Sequence, residues 1–94
     1  MRHLFRATRM RSGIDDWISF DSSMYTQKEA TTQFEEILDF NACGYPYTRY
    51  KYNGIDYRYV TYVGEFEEVK MPASYKEYAD YLKAKHYPNG DNRK

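Results

Sequence analysis

The chain opens on two short alternating stretches. Residues 4–10 set Leu4, Arg6, Thr8 and Met10 against Phe5, Ala7 and Arg9, a strand period with no dominant apolar face. Ser12-Gly13 is a turn signal, and over 14–20 Ile14, Ile18 and Phe20 fall in phase with Trp17 opposite. The two stretches read as a first β-hairpin, closed by Asp21-Ser22-Ser23.

The period then changes. Thr26-Gln27-Lys28-Glu29 has the form of a capping box, in which the threonine hydroxyl accepts from the amide three residues on and the glutamate reaches back. Tyr25 and Ala30 occupy the positions of a hydrophobic staple. From Gln27 the spacing is helical, with Ala30, Phe34, Ile37 and Leu38 on one face. Gly44 is a left-handed stop, and Tyr45-Pro46 cannot continue a helix. The pattern predicts one helix from Gln27 to that stop, with Cys43 a small apolar residue in its last turn.

Alternation returns at Tyr47 and runs to Val63 around Asn53-Gly54, the strongest short-range hairpin signal, because both central positions of a type I′ turn need φ > 0. A two-residue turn pairs Tyr52 with Ile55, Lys51 with Asp56, Tyr50 with Tyr57, Arg49 with Arg58, Thr48 with Tyr59 and Tyr47 with Val60. Thr48, Tyr50, Tyr52, Ile55, Tyr57, Tyr59, Thr61 and Val63 then form the core wall. Tyr47, Arg49, Lys51, Asp56, Arg58, Val60 and Tyr62 face solvent. Gly64 marks a bend or bulge before an extension or short strand over 66–71. Ser74-Tyr75-Lys76-Glu77 is a second capping box, with Tyr75, Tyr78, Ala79 and Leu82 as its helix's inward stripe, and Pro88-Asn89-Gly90 ends that helix. The order ββαββ(β)α predicts a single α+β domain over 1–88, an antiparallel sheet with two helices packed on one face, and a frayed tail over 89–94.

Composition explains how so polar a chain can fold. The chain is 41% hydrophobic and 30% charged, and twelve of its 94 residues are tyrosine. Tyrosine scores as polar, which depresses the mean hydropathy to -0.96, yet its ring buries a large apolar area once the hydroxyl finds a partner. The expected core is tyrosine-rich and hydrogen-bonded at its edges.

Net charge is +0, with 14 basic and 14 acidic residues, which argues against an acidic DNA mimic and against a uniformly basic nucleic-acid binder. The charge is uneven: Arg2, Arg6, Arg9 and Arg11 stand in the first eleven residues without an acid. Two contact surfaces follow. One is Tyr47, Arg49, Lys51, Arg58 and Tyr62, where Arg49 facing Arg58 would destabilise the ladder unless an acid or an anionic partner relieves it. Relief of that clash would leave Arg49→Glu neutral or stabilising. The other surface sets Arg6, Arg9 and Arg11 near Trp17, an arginine–aromatic mix suited to single strands. In the plainer reading these arginines meet the chain's own acids, Asp56 and the carboxylates Glu29, Glu35, Glu36 and Asp39 of the first helix.

Catalytic signatures are sparse. Cys43 alone gives neither a disulfide framework nor zinc spacing, and His3 and His86 lack partners at metal spacing. Adjacent pairs such as Asp15-Asp16, Glu35-Glu36 and Glu67-Glu68 point apart on strand or helix, so none is a ready-made acid–base dyad. Asp15, Asp16 and Asp21 gathered around a cation would support a small hydrolase or nuclease, the third reading. No phosphate loop, nucleophile elbow or dinucleotide fingerprint occurs. With no apolar run of membrane-spanning length and no signal-like h-region, a soluble protein of a reducing cytoplasm is the default.

The sequence therefore leads to a small non-enzymatic binding or regulatory protein, without cofactor or metal, that covers a surface on another macromolecule. Its expected partner is a protein, and an inhibitor carried by a phage or other mobile element fits the size. The alternative is a nucleic-acid-binding domain using the Arg/Tyr sheet face and the basic N-terminal strand. A homodimer through an exposed edge or a Tyr47/Val60/Tyr62 patch is a further outlet.

Overall fold

The computed structural model describes residues 1–86, so the expected helix end at Pro88 and the tail over 89–94 lie outside the described residues. Five strands form one antiparallel sheet: β1 (Arg2–Arg9), β2 (Asp15–Asp21), β3 (Glu35–Phe40), β4 (Pro46–Tyr52) and β5 (Ile55–Phe66). Their spatial order is β2-β1-β5-β4-β3. Helix α1 (Gln27–Thr31) lies between β2 and β3, and a 3-10 turn (Glu68–Lys70) leads from β5 to helix α2 (Tyr75–His86). The α+β class and the antiparallel sheet are those the sequence predicts.

The first hairpin forms as expected, with Phe5 opposite Ile18 and His3 opposite Phe20. At Thr26 the capping box closes in full: the Glu29 N–H donates to Thr26 Oγ1 at 3.1 Å and the Thr26 N–H to Glu29 Oε1 at 2.9 Å. The long helix does not follow. After Thr31 the chain turns through Thr32 and Gln33, and Glu35 to Phe40 are extended against β4. Two β-branched threonines at the exit favour that break, and their hydroxyls donate to the Gln27 and Glu29 carbonyls of the single turn. The third strand of the second half therefore precedes the tyrosine hairpin, and β5 runs unbroken to Phe66 instead of yielding a separate strand over 66–71. Gly44 keeps its expected positive φ, 84°, but in a hairpin loop: the Gly44 N–H donates to Asn41 O and the Asn41 N–H to Tyr45 O, both at 2.9 Å. Cys43 is an exposed loop residue, not part of a helix.

The Asn53-Gly54 turn has both φ values positive, 52° and 80°, and sets Tyr52 opposite Ile55, Lys51 opposite Asp56 and Tyr50 opposite Tyr57. The ladder ends there. Against β1 the register slips between Thr8–Tyr59 and Arg9–Tyr57, leaving Arg58 as the extra residue of a bulge. A one-residue slip exchanges faces. Tyr59, expected in the core, is 61% exposed, while Val60 and Tyr62, expected outside, pack against it. A second slip, between Leu4–Gly64 and Phe5–Tyr62, places a bulge beside Gly64 as expected.

One face of the sheet carries the core. Phe5, Ala7, Phe20, Ala30, Phe34 and Tyr57 are buried together, so α1 closes this face through Ala30 and the Phe34 that follows it. Phe20 is its hub, meeting the rings of Phe5, Tyr25, Phe34 and Tyr52 at centroid distances of 5.5–5.9 Å. The alternate residues of β1 look the other way, where α2 sits: Tyr78 meets Trp17 at 5.5 Å and Tyr81 meets Phe66 at 5.0 Å. The two helices thus take opposite faces rather than sharing one. Along α2, Tyr78, Tyr81 and Leu82 are half-buried while Tyr75 and Ala79 of the expected stripe are exposed.

Candidate functional site

At the hairpin end of the sheet, Met10 to Ser12 face β3 and β4 across a cleft of about 550 Å³. Arg9, Arg11, Tyr47 and Arg49 line it, together with Asp39, Ile55 and Asp56. Four of the nine sequence-predicted contact residues meet here, because β1 and β4 end at the same side. Arg49 is neutralised within the fold: its Nε donates to Asp39 Oδ2 at 3.0 Å and its Nη1 to Asp56 Oδ1 at 2.5 Å. The Phe40 N–H and then Arg49 hold Asp39 below the usual carboxylate range, and Asp39 in turn raises the Arg49 guanidinium. Arg58 does not face Arg49 but donates to Met10 O at 3.0 Å. The relieving acids are thus Asp56, as the plainer reading expects, and Asp39, which lies on strand β3 and not on a helix.

Arg9 is fixed in the same manner. Its Nε and Nη2 donate to the two oxygens of Asp16 at 2.8 and 3.2 Å, a bidentate pair. The Tyr57 hydroxyl donates to Asp16 Oδ2 at 2.8 Å. Hydrogen bonding by Arg9 holds Asp16 low and Asp16 raises Arg9, while burial and the bond to Asp16 push the Tyr57 hydroxyl up to about 12. The cleft's charge is therefore mostly spent on itself; Arg11 and Arg58 have no carboxylate partner among the described residues.

The basic N-terminal strand does not act as one patch. Arg6 pairs with Asp15 at 2.9 Å and lies under α2, 5.0 Å from the Tyr75 ring centre and 5.9 Å from that of Tyr78. Trp17, opposite Arg6 in the ladder, is covered by Tyr78. Both fasten the helix to the sheet. Arg2 donates to the hydroxyl and carbonyl of Ser19 at 2.7 and 3.2 Å. Asp15 also accepts from Thr8 at 2.7 Å and Asp21 from the Ser23 amide and hydroxyl at 2.9 and 2.8 Å. These aspartates are thus tied to three separate sets of protein donors, and no group of three or more metal-ligating side chains occurs among the described residues. Tyr62 turns inward, its hydroxyl 3.0 Å from His3 Nδ1 and its ring 5.3 Å from Phe5, and burial raises its pKa. Lys51 stays exposed between Glu35 on one strand and Asp56 on the other.

The sequence reading missed the surface that the third strand creates. β3 is the outer strand, and Leu38 and Phe40, on the core-side face beyond α1, are 66% and 58% exposed. Beside them a cleft of about 180 Å³ opens between Phe34, Glu36, Tyr50, Val60 and Tyr62. Tyr45 projects from the adjoining loop, also exposed. The signal was the alternation Phe34, Glu36, Leu38, Phe40, which shares Phe34 and Leu38 with the helical spacing. No helix among the described residues is long and apolar enough to cross a membrane. Compared with protein-family models, curated proteins and solved structures, the chain matches none.

Proposed function

We propose that this chain is a non-enzymatic regulator or inhibitor that covers a surface of another protein, with the open β3–β4 half of its sheet as the contact face. The observation that carries the reading is the exposure of Leu38 and Phe40 side by side on one face of an edge strand, flanked by Tyr45 and the Tyr50 cleft. Apolar and aromatic groups clustered on an open surface and rimmed by charge are the composition of a protein interface core. The nucleic-acid reading draws less support, because Arg6, Arg9 and Arg49 are each bound to aspartate. A free, exposed Cys43 suits a reducing compartment, the cytoplasm in the first place.

Affinity capture from native cell lysate, with and without nuclease, tests this. A protein retained in both arms and lost on Phe40→Asp supports it. Retention of nucleic acid that weakens steeply with salt and is indifferent to Phe40→Asp would overturn it.

A further inference from the structure

We infer that β3 is an open edge that accepts a sixth strand, and that the strand it fits is an extended segment of a partner protein alternating apolar and basic side chains. The inference rests on the protein-contact reading and names the partner's chemistry. In an antiparallel ladder, residues alternate between those whose main-chain groups bond to the neighbour and those whose groups turn outward. The Asn41 N–H bonds to Tyr45 O, so Asp39, Ile37 and Glu35 turn their peptides toward β4, and Glu36, Leu38 and Phe40 turn theirs out. The Phe40 N–H is already taken by its neighbour's carboxylate, Asp39 Oδ1, at 2.8 Å. The open ladder is thus the Glu36 and Leu38 peptides and the Phe40 carbonyl, a short template with a defined stop.

Edge strands are normally blunted by charged side chains, proline, a bulge or a covering element. β3, Glu35-Glu36-Ile37-Leu38-Asp39-Phe40, has no proline, bulge or covering element, and its carboxylates guard it only against acidic strands; at the opposite edge every residue of β2 is buried or half-buried. Added main-chain bonds supply affinity in this mode and alternate side chains supply specificity. Apolar side chains of the incoming strand would lie on Leu38 and Phe40. Charge selects the rest. β3 carries three acids and no base, and only Asp39 is paired with an arginine. Lysine or arginine, alternating with those apolar residues and so on the other face of the incoming strand, would meet Glu35, whereas a second copy of β3 would add three more carboxylates to this edge and no base.

A labelled short peptide of alternating lysine and valine, titrated into the full chain by fluorescence anisotropy, is the probe. Saturable binding is expected, reduced about tenfold or more when glutamate replaces lysine, and likewise when alternate peptide amides are N-methylated, a loss of roughly 1.4 kcal/mol or more. Leu38→Pro should abolish it while the melting temperature holds, because proline there removes only an outward N–H. Should Leu38→Pro fail to fold, the N-methylated peptide on the unaltered chain decides alone. Equal binding of methylated and unmethylated peptides would overturn the inference, as would a doubled chain mass in light scattering that Leu38→Pro abolishes. No peptide binding, with capture of a protein still lost in Phe40→Asp, would sink the added strand and leave the contact reading intact.

Discussion

Tyr57 shows how a tyrosine can replace an aliphatic residue in a small core. It is 2% exposed, and its hydroxyl reaches Asp16, which Arg9 fixes from the other side. Asp16→Ala leaves that hydroxyl without its acceptor, and an orphaned buried donor costs about 1–3 kcal/mol; thermal unfolding of the variant measures it. The pH dependence has two arms. Asp16 is held low, so its contribution is present above the unfolded carboxyl value of about 4 and lost as pH falls through the lower folded value. Tyr57 is raised, so its contribution is present below the unfolded value of about 10 and lost as pH climbs through about 12. An alkaline titration of the tyrosinate absorbance should show a late step near pH 12, and Tyr57→Phe should remove it. Arg49 reverses a sequence-based expectation. Arg49→Glu would crowd a third carboxylate between Asp39 and Asp56 instead of relieving Arg58, and its melting temperature should fall.

Among the elements, two of the three hairpin turns and both helix starts were legible, because each rests on local chemistry: Asn53-Gly54, Ser12-Gly13, and the boxes at Thr26 and Ser74. In the second box the Glu77 carboxylate accepts from the Ala73 N–H at 2.8 Å, one residue before the Ser74 whose hydroxyl accepts from the Glu77 N–H. The stretch from Phe34 to Phe40 was not legible from periodicity. Ala30, Phe34, Ile37 and Leu38 satisfy a helical stripe, while Phe34, Leu38 and Phe40 satisfy a strand, and pairing with β4 settles the contest. The faces beyond Tyr57 were lost for another reason: a bulge at Arg58 depends on the partner strand β1, some fifty residues away in sequence, and leaves no local mark. Gly44 was read as a stop in either case. Its φ of 84° and the open space around its missing Cβ mean that Gly44→Ala meets backbone strain alone. A loss of about 1 kcal/mol is expected in denaturant unfolding, and a cost below a few tenths would contradict the hairpin assignment.

As a whole the molecule is a plate, 48 × 37 × 19 Å, with α1 and α2 on opposite faces of its β1–β2 half. Its stability and its proposed contact face therefore reside in different halves. The Phe20 hub, Phe5, Ala30 and Phe34 bind β1, β2 and α1 into a closed aromatic core, and Phe20→Ala should cost about 3–5 kcal/mol, a large part of the stability of a domain this small. Leu38 and Phe40 lie on the other half, where side chains face solvent and contribute little to folding. Phe40→Asp should change unfolding free energy by no more than about 0.5 kcal/mol, as for other surface substitutions away from special features. The pairing of these two outcomes is the informative test. A Phe40 variant that keeps its stability and loses its partner separates contact from folding, whereas one that unfolds like Phe20→Ala would show that the exposed edge is held by the chain itself.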